Sequence, residues 1–293
     1  MSTTKKPLIF LHVPCAAGCK FMGALRRKFN ENSICRIVAN ESVTRKRGKM
    51  SIAEFKNLSQ EERDKIKLLM GHMSFGIHED FSSLCDYVTL LREPVSRTIS
   101  QYYYISTKLD HDDYDKVSKM TLEEYAVSSM AGANNFQTRM ISANHEFSSV
   151  DIFPLPANAL EVAKKNLREY FKVVGVVEKF HESLFAVKKA FSWNNVYYDH
   201  SHNHSNPKRP KNSEISLATR EAIAKNNALD LELYSYAEKL LNESIKAYGS
   251  NLNLDIAKFE KTNEFLDKMG VMRLEENFWR FMRRVRKFVF KFI

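Results

Sequence analysis

Residues 6–29 (KPLIFLHVPCAAGCKFMGALRRKF) limit the choice of fold more than any other stretch of this chain. Residues 7–13 are a short apolar run, which predicts a buried strand of a parallel sheet. Small or turn-forming residues follow at 14–19, and apolar side chains then recur at helical spacing from 20 to 29. A helix N-terminus behind a tight loop, with Lys20 in its first turn, can cradle a phosphate, because free N–H groups and the positive helix dipole point into the loop. The alternative is an ordinary strand-to-helix connection.

The composition is that of a globular protein with a basic surface. The chain has 293 residues, of which 44% are hydrophobic and 27% are charged, and its formal net charge is +10. This excess of positive charge favours anionic partners, such as a nucleotide, an acidic glycan, nucleic acid or an anionic membrane. Nucleic acid is the weakest of these, because the basic residues form no recognisable reader motif.

Other sequence features exclude several classes of protein. The four cysteines are expected to be reduced, and Cys15 and Cys19 lack a second pair with zinc-ligand spacing, so we predict no metal site. No run of about 18 apolar residues exists that could span a membrane. The polar N-terminus has no secretory signal, and we therefore expect a cytoplasmic protein.

Predicted strands alternate with predicted helices as far as residue 200, which indicates an α/β fold: a central, mainly parallel sheet with helices on both faces. The predicted strands cover residues 7–13, 33–39, 66–70, 86–91, 173–177 and 195–198. One domain is expected over 1–250, followed by a helical C-terminal extension over 251–293. Ligands of such sheets bind beyond the carboxyl ends of the strands, which draws attention to residues 14–20, His72, Arg92 and Glu178.

Six motifs in this order resemble the sulfotransferases that use 3′-phosphoadenosine-5′-phosphosulfate (PAPS), with their P-loop-like fold. The motifs are HVP…G…F after the first strand, GHMSFG at 71–76, LLREPVSRTISQYYY at 90–104, NNFQTRMIS at 134–142, VVGVVEKFHESL at 173–184 and NALDLELYSYA at 227–237. They are most similar to the carbohydrate branch that contains the uronyl 2-O-sulfotransferases and their bacterial relatives. The resemblance implies a nucleotide-binding transferase that sulfates a carbohydrate hydroxyl and releases 3′-phosphoadenosine-5′-phosphate (PAP), without a metal.

The resemblance also implies roles for individual residues. The loop that would hold the 5′-phosphosulfate comprises Pro14, Cys15, Ala16, Ala17, Gly18, Cys19, Lys20 and Phe21. Arg92 and Ser100 would hold the 3′-phosphate, with Arg97 as a third candidate donor, because a guanidinium can donate two parallel hydrogen bonds to a phosphate. Arg209, in the basic loop 206–211, would close over the nucleotide.

The acceptor side of the site has its own candidates. His72 follows a strand and would be the base that takes the acceptor proton, since histidine titrates near neutral pH. His78 is a reserve candidate for that role or for binding the substrate. Gln137 and Arg139 would line the acceptor cleft, and Glu178 would orient a base or an acceptor hydroxyl.

The phosphosulfate loop departs from the family pattern at its most important positions. The family has a Lys where this chain has Cys15, and hydroxyl residues where it has Ala16 and Cys19. Lys20 is therefore a candidate catalytic cation that would replace the missing Lys. Two alternatives remain: a PAPS- or PAP-binding protein with weak or no catalysis, and a P-loop kinase, although the loop lacks the Gly-Lys-Ser/Thr sequence.

Residues 276–293 predict a basic amphipathic helix with large aromatic side chains on its apolar face. This pattern is typical of an anchor in an anionic membrane surface, and it would make the protein a peripheral membrane protein. The alternative is a helix that packs on its own domain or on a partner subunit.

Overall fold

The computed structural model describes residues 6–38, 50–143, 154–198, 209–249 and 252–269. Within these ranges the fold is built on a five-stranded, wholly parallel sheet with the strand order β2-β3-β1-β4-β5. The strands are β1 (Leu8–His12), β2 (Ile34–Ile37), β3 (Leu68–Gly71), β4 (Asp86–Leu91) and β5 (Phe171–Val176). The predicted α/β fold with a parallel sheet is therefore confirmed.

β1 occupies the centre of the sheet because its residues are apolar on both faces. Leu8 pairs with Leu68 of β3 on one side and with Asp86 of β4 on the other. All five residues of β1 are buried, and successive side chains of a strand point to opposite faces. Both faces of the sheet are thus covered, as expected for parallel strands.

The helices cover the sheet and carry the residues that follow each strand. The described α-helices are α1 (Gly18–Arg26), α2 (Ile52–Lys56), α3 (Gln60–Asp64), α4 (Pro94–Ile105), α5 (Tyr114–Val117), α6 (Leu122–Ala126), α7 (Phe136–Ser142), α8 (Ala159–Tyr170), α9 (Phe180–Ala190), α10 (Leu217–Asn226), α11 (Ala228–Lys246) and α12 (Leu252–Lys268). Capping boxes begin α3 and α6, with Ser59 and Thr121 as the capping residues.

One predicted strand is absent from the sheet. The segment after α9 runs beside α1, with the Trp193 ring against Phe29 and the Tyr198 ring against Phe180. The backbone N–H of Tyr198 donates to the side chain of Asn263 on α12 rather than to a strand. The prediction of a strand at 195–198 was wrong because its aromatic residues serve side-chain packing, which also gives a strand-like pattern.

The C-terminal region begins with α12, which packs on α9 through the rings of Phe259 and Phe185. Residues 270–293 lie outside the described residues, and so does the amphipathic helix predicted at 276–293. The domain boundary at residue 250 stays a prediction. No helix in the described ranges combines the length and hydrophobicity needed to cross a membrane.

Candidate functional site

The carboxyl ends of β1, β3 and β4 meet at one edge of the sheet. The loop after β1 turns sharply there, with Cys15 and Ala17 at positive φ (64° and 51°), and Ala17 begins α1 as its N-cap. Among the described residues, no side chain caps α1 and its first turn carries no acidic residue. The N–H groups at the start of a helix have no acceptor within that helix, and such a helix N-terminus favours an anion in front of the loop.

Arg92 follows β4 and connects this strand to the loop. Its Nη1 donates to the carbonyl oxygen of Cys15 over 2.9 Å. The backbone of Arg92 is held by Gln137, which accepts from its N–H at 2.9 Å and donates to its carbonyl oxygen at 2.8 Å. Cys15 therefore holds the Arg92 guanidinium against the loop, while Gln137 holds the Arg92 main chain.

Two further arginines contribute charge to the same region. Arg97 is fully buried; its guanidinium contacts Gln101, donates to the carbonyl oxygen of Gly132 over 2.7 Å and lies over the Phe136 ring at 5.1 Å. Arg209 is half-buried and donates to Asn212 over 2.7 Å. In the described part of the chain, the Nε of each of these arginines and of Arg92 is buried without a hydrogen-bond acceptor. Buried donors without an acceptor suit an anionic ligand.

The electrostatics of the loop reflect these charges. Burial raises the pKa of the Cys15 thiol, and the charges of the three arginines act against that shift. Burial also lowers the pKa of Arg209, and the neighbouring charge of Arg92 acts in the same direction. Arginines that disfavour each other's charge are stabilised by an anion between them. A neutral Cys15 thiol, in contrast, does not supply the charge of the Lys that it replaces.

His72 lies directly after β3 and contacts the loop through His12. The Nδ1 of His72 is 3.0 Å from the carbonyl oxygen of His12, and the two rings are stacked with centroids 4.4 Å apart. Because a carbonyl only accepts, Nδ1 carries the proton in the neutral ring and Nε2 keeps its lone pair. His72 therefore has the tautomer of a base at Nε2.

His12 is a site residue that the sequence interpretation missed. Its ring is packed so closely on the first residue of α1 that a Cβ at Gly18 would lie 1.8 Å from its Nε2. His12 thus separates the start of α1 from His72 and fixes the distance between them. The available signal was its position at the end of β1, in the HVP motif.

The remaining residues predicted to bind the nucleotide lie in different surroundings. Lys20 is the third residue of α1, is half-buried, and has no hydrogen bond or ion pair within the described ranges. Ser100 is half-buried on α4, two turns beyond Arg92, and no described residue bonds its hydroxyl. Phe21 is different, because it is fully buried against Phe10 and Phe180 and belongs to the core. Its role as a ligand contact stays a prediction.

The predicted acceptor residues are mostly structural. Gln137 is fully buried and holds Arg92, and Arg139 is 3% exposed and donates to the backbone and side chain of Asn134. His78 contacts the Tyr87 hydroxyl near the amino end of β4, away from the site. All three residues have partners within the fold, and their roles toward an acceptor stay predictions.

Glu178 is the exception among the acceptor candidates, because it is exposed at the site edge. It accepts from the backbone N–H of Glu93 at 3.2 Å and from the Tyr234 hydroxyl at 2.9 Å. Burial, and to a lesser extent the charge of the Glu178 carboxylate, raise the pKa of Tyr234.

No cluster of three His, Cys, Asp or Glu side chains suited to a metal ion occurs among the residues that the structure describes.

Known proteins resemble this chain over most of its length. A family model described as "Sulfotransferase family" matches residues 1–237. Heparan-sulfate 6-O-sulfotransferase 2 of Gallus gallus is 24% identical over 281 residues, which cover 80% of this chain and 66% of the relative. Heparan-sulfate 6-O-sulfotransferase 3 of Homo sapiens is 27% identical over 188 residues, which cover 54% of this chain and 38% of the relative. The chain thus spans less than two thirds of the length of these relatives.

Proposed function

The chain belongs to the sulfotransferase family, and we propose that it transfers a sulfuryl group from PAPS to a hydroxyl group of a carbohydrate. One observation carries the proposal: Arg92 donates to the carbonyl of Cys15 beside the uncapped N-terminus of α1. This places a guanidinium beside a helix N-terminus at the carboxyl edge of the sheet. PAPS carries anionic groups at both its 3′ and 5′ positions, and such donors match them.

The residues of the site divide the chemistry between them. PAPS supplies the sulfuryl group and, in PAP, a stable leaving group. Nε2 of His72 takes the proton of the acceptor hydroxyl while its oxygen forms a bond to sulfur and the bond from sulfur to the 5′-phosphate oxygen breaks. Lys20 and the N-terminus of α1 offset the negative charge that develops on that oxygen.

Two observations support an acidic glycan as the acceptor. The relatives are named for heparan sulfate and for its 6-O position, and the net charge of +10 attracts polyanions. The test is transfer of labelled sulfate from PAPS to a panel of desulfated heparan, chondroitin and neutral oligosaccharides. We expect a uronic-acid-containing chain to be labelled first, and labelling of the neutral acceptors alone would contradict an acidic acceptor.

A second function is favoured by Cys15. Its thiol, with a pKa raised by burial, is uncharged where the family has a Lys. A protein with such a loop that binds PAP without transferring sulfate would be a nucleotide-binding protein rather than an enzyme. Tight PAP binding with no labelled acceptor in the whole panel would support this alternative.

The decisive experiment is calorimetric titration with PAP of the wild type, Arg92→Ala and Arg168→Ala. Arg168 is an exposed arginine on α8 that contacts Tyr236, so its loss removes the same charge outside the site. A hydrogen bond to a charged group contributes about 1.5–3 kcal/mol, which predicts a loss of roughly 10- to 150-fold in affinity for Arg92→Ala. The control should bind like the wild type. Equal PAP affinity of all three proteins, or no binding by the wild type, would refute the proposed site.

A further inference from the structure

We propose that the fully buried Asp230 and the half-buried Asn135, 95 positions apart, position Arg92 for nucleotide binding. Neither residue touches the space in front of the loop. Both act through the start of α7, which carries Gln137, the residue that holds the backbone of Arg92. The choice of PAP as the ligand rests on the proposed function, whereas the contacts that hold Arg92 lie within this chain.

The N-termini of α7 and α11 cap each other. The carboxylate of Asp230, in the first turn of α11, accepts from the N–H groups of Gln137 at 3.0 Å and Thr138 at 2.7 Å, and from the Thr138 hydroxyl at 2.7 Å. In return, the Asn135 side-chain oxygen accepts from the N–H groups of Leu229 at 2.9 Å and Asp230 at 3.2 Å. Each helix therefore satisfies the free donors of the other.

The backbone of Asn135 is shaped for this exchange. It is in the left-handed region (φ 45°, ψ 42°), which Asn tolerates better than most residues. Its own N–H donates to the Asn227 side chain over 3.0 Å. Among the described residues, no side chain within α7 or its N-cap caps that helix, and the same holds for α11. The caps come only from the opposite helix.

The capped turn of α7 continues directly into the site. Gln137 receives the cap from Asp230 at its backbone and uses its side-chain amide to bind both the N–H and the carbonyl of Arg92. Arg92 then donates to Cys15 in the loop. An uninterrupted series of hydrogen bonds thus connects Asp230 to the loop, and every side chain in it before Arg92 is fully buried.

Replacing Asp230 can either tighten or weaken PAP binding, and the direction of the change tells which role Asp230 has. A buried negative charge near an anion site weakens anion binding by electrostatics alone, so neutralising it would tighten PAP binding. If Asp230 instead positions Arg92, its loss must weaken PAP binding, because Asn presents an N–H₂ group where an acceptor is needed. Asp230→Asn separates the two effects, since the two side chains have nearly the same shape.

The test measures PAP affinity and amide exchange in five proteins with intact thermal transitions. They are the wild type, Asp230→Asn, Gln137→Met, the double variant, and Asn263→Ala, which removes a buried polar side chain on α12 as a control for lost stability. We expect Asp230→Asn to weaken PAP binding at least tenfold and to speed exchange of the Arg92 amide at least tenfold. The double variant should bind PAP like Gln137→Met alone, because both changes act through one contact.

Several outcomes would overturn the inference. The first is that Asp230→Asn binds PAP as tightly as the wild type or more tightly. The second is that the losses of PAP affinity add up in the double variant, and the third is that Asn263→Ala loses as much PAP affinity as Asp230→Asn. If Asp230→Asn does not fold, Asn135→Gly keeps the backbone conformation, removes the reciprocal cap and should weaken PAP binding in the same direction. If the wild type binds no PAP, the proposed function fails by itself, and unchanged exchange at Arg92 in Asp230→Asn would then refute the positioning role.

Discussion

A methyl group added at Gly18 should disturb the site through His12. The Cβ of Gly18→Ala would lie 1.8 Å from Nε2 and 1.9 Å from Cδ2 of the His12 ring. An ordinary contact needs about 3.5 Å, so the ring must move by roughly 1.5 Å. It cannot do so alone, because it is stacked between Phe10, at 5.7 Å, and His72, at 4.4 Å.

Gly23 provides a matched control in the same helix. A Cβ there meets nothing within 4 Å, so Gly23→Ala gains helix propensity, worth about 1 kcal/mol, without a clash. Overpacking at Gly18 costs about 1–3 kcal/mol, which its own gain in propensity offsets only partly. We expect the two variants to differ by about 2 kcal/mol in free energy of unfolding, or roughly 4–8 °C in Tm.

The assays are thermal unfolding and sulfate transfer. Displacing His72 by about 1 Å should lower kcat about 100-fold in Gly18→Ala. PAP binding should change less, because Gln137 and the Cys15 carbonyl hold Arg92. Gly23→Ala should keep the wild-type kcat. Equal Tm and equal kcat in the two variants would refute the view that His12 sets the spacing between α1 and His72.

The other predictions concern the loop itself. Lys20→Ala should lower kcat/KM of sulfate transfer at least 100-fold, because the Lys20 ammonium stabilises the leaving oxygen. The control is Lys65→Ala, which removes an exposed lysine paired with Glu61 and should leave kcat/KM unchanged. Unchanged turnover in Lys20→Ala would remove Lys20 from the mechanism. Iodoacetamide at pH 8 should label the exposed Cys19 before Cys15, because burial raises the pKa of the Cys15 thiol above 9.0 and only the thiolate reacts. The labelling rate of Cys15 should still rise between pH 8 and pH 9, and saturating PAP should slow it; a plateau below pH 8 would contradict the buried, protonated thiol.

Local patterns in the sequence were sufficient to predict all five strands of the sheet, although they also predicted a sixth, at 195–198, that is absent. The β4 strand has the bounds that the sequence predicts, Asp86 and Leu91. Parallel strands end at one edge, so the residues after them, including His72 and Arg92, could be predicted to share a site before any contact was known. The sulfotransferase family predicted from the six motifs is also confirmed. The relatives are named for the 6-O position of heparan sulfate rather than for a 2-O position.

The residues that support the site could not be predicted in this way. Gln137 and Arg139 lie in a family motif, which indicates importance but does not tell a buried hydrogen-bond partner from a ligand contact. Phe21 presents a related difficulty, since an aromatic residue in a binding loop also has the spacing of a core residue, and its side chain is fully buried. Asp230 lies in the NALDLELYSYA motif, but nothing local indicated its role, because its partners, Gln137 and Thr138, are more than 90 residues away and only the folded chain brings them together.

The mutual capping of α7 and α11 has a consequence for the order of events during synthesis. The start of α7 is complete only when residues 227–230 have emerged from the ribosome and docked, which is well after the last sheet strand, β5, has been made. Contacts of such large sequence separation form late in folding. A nascent chain arrested near residue 200 could therefore complete its sheet, yet it should acquire nucleotide affinity only after α11 is released.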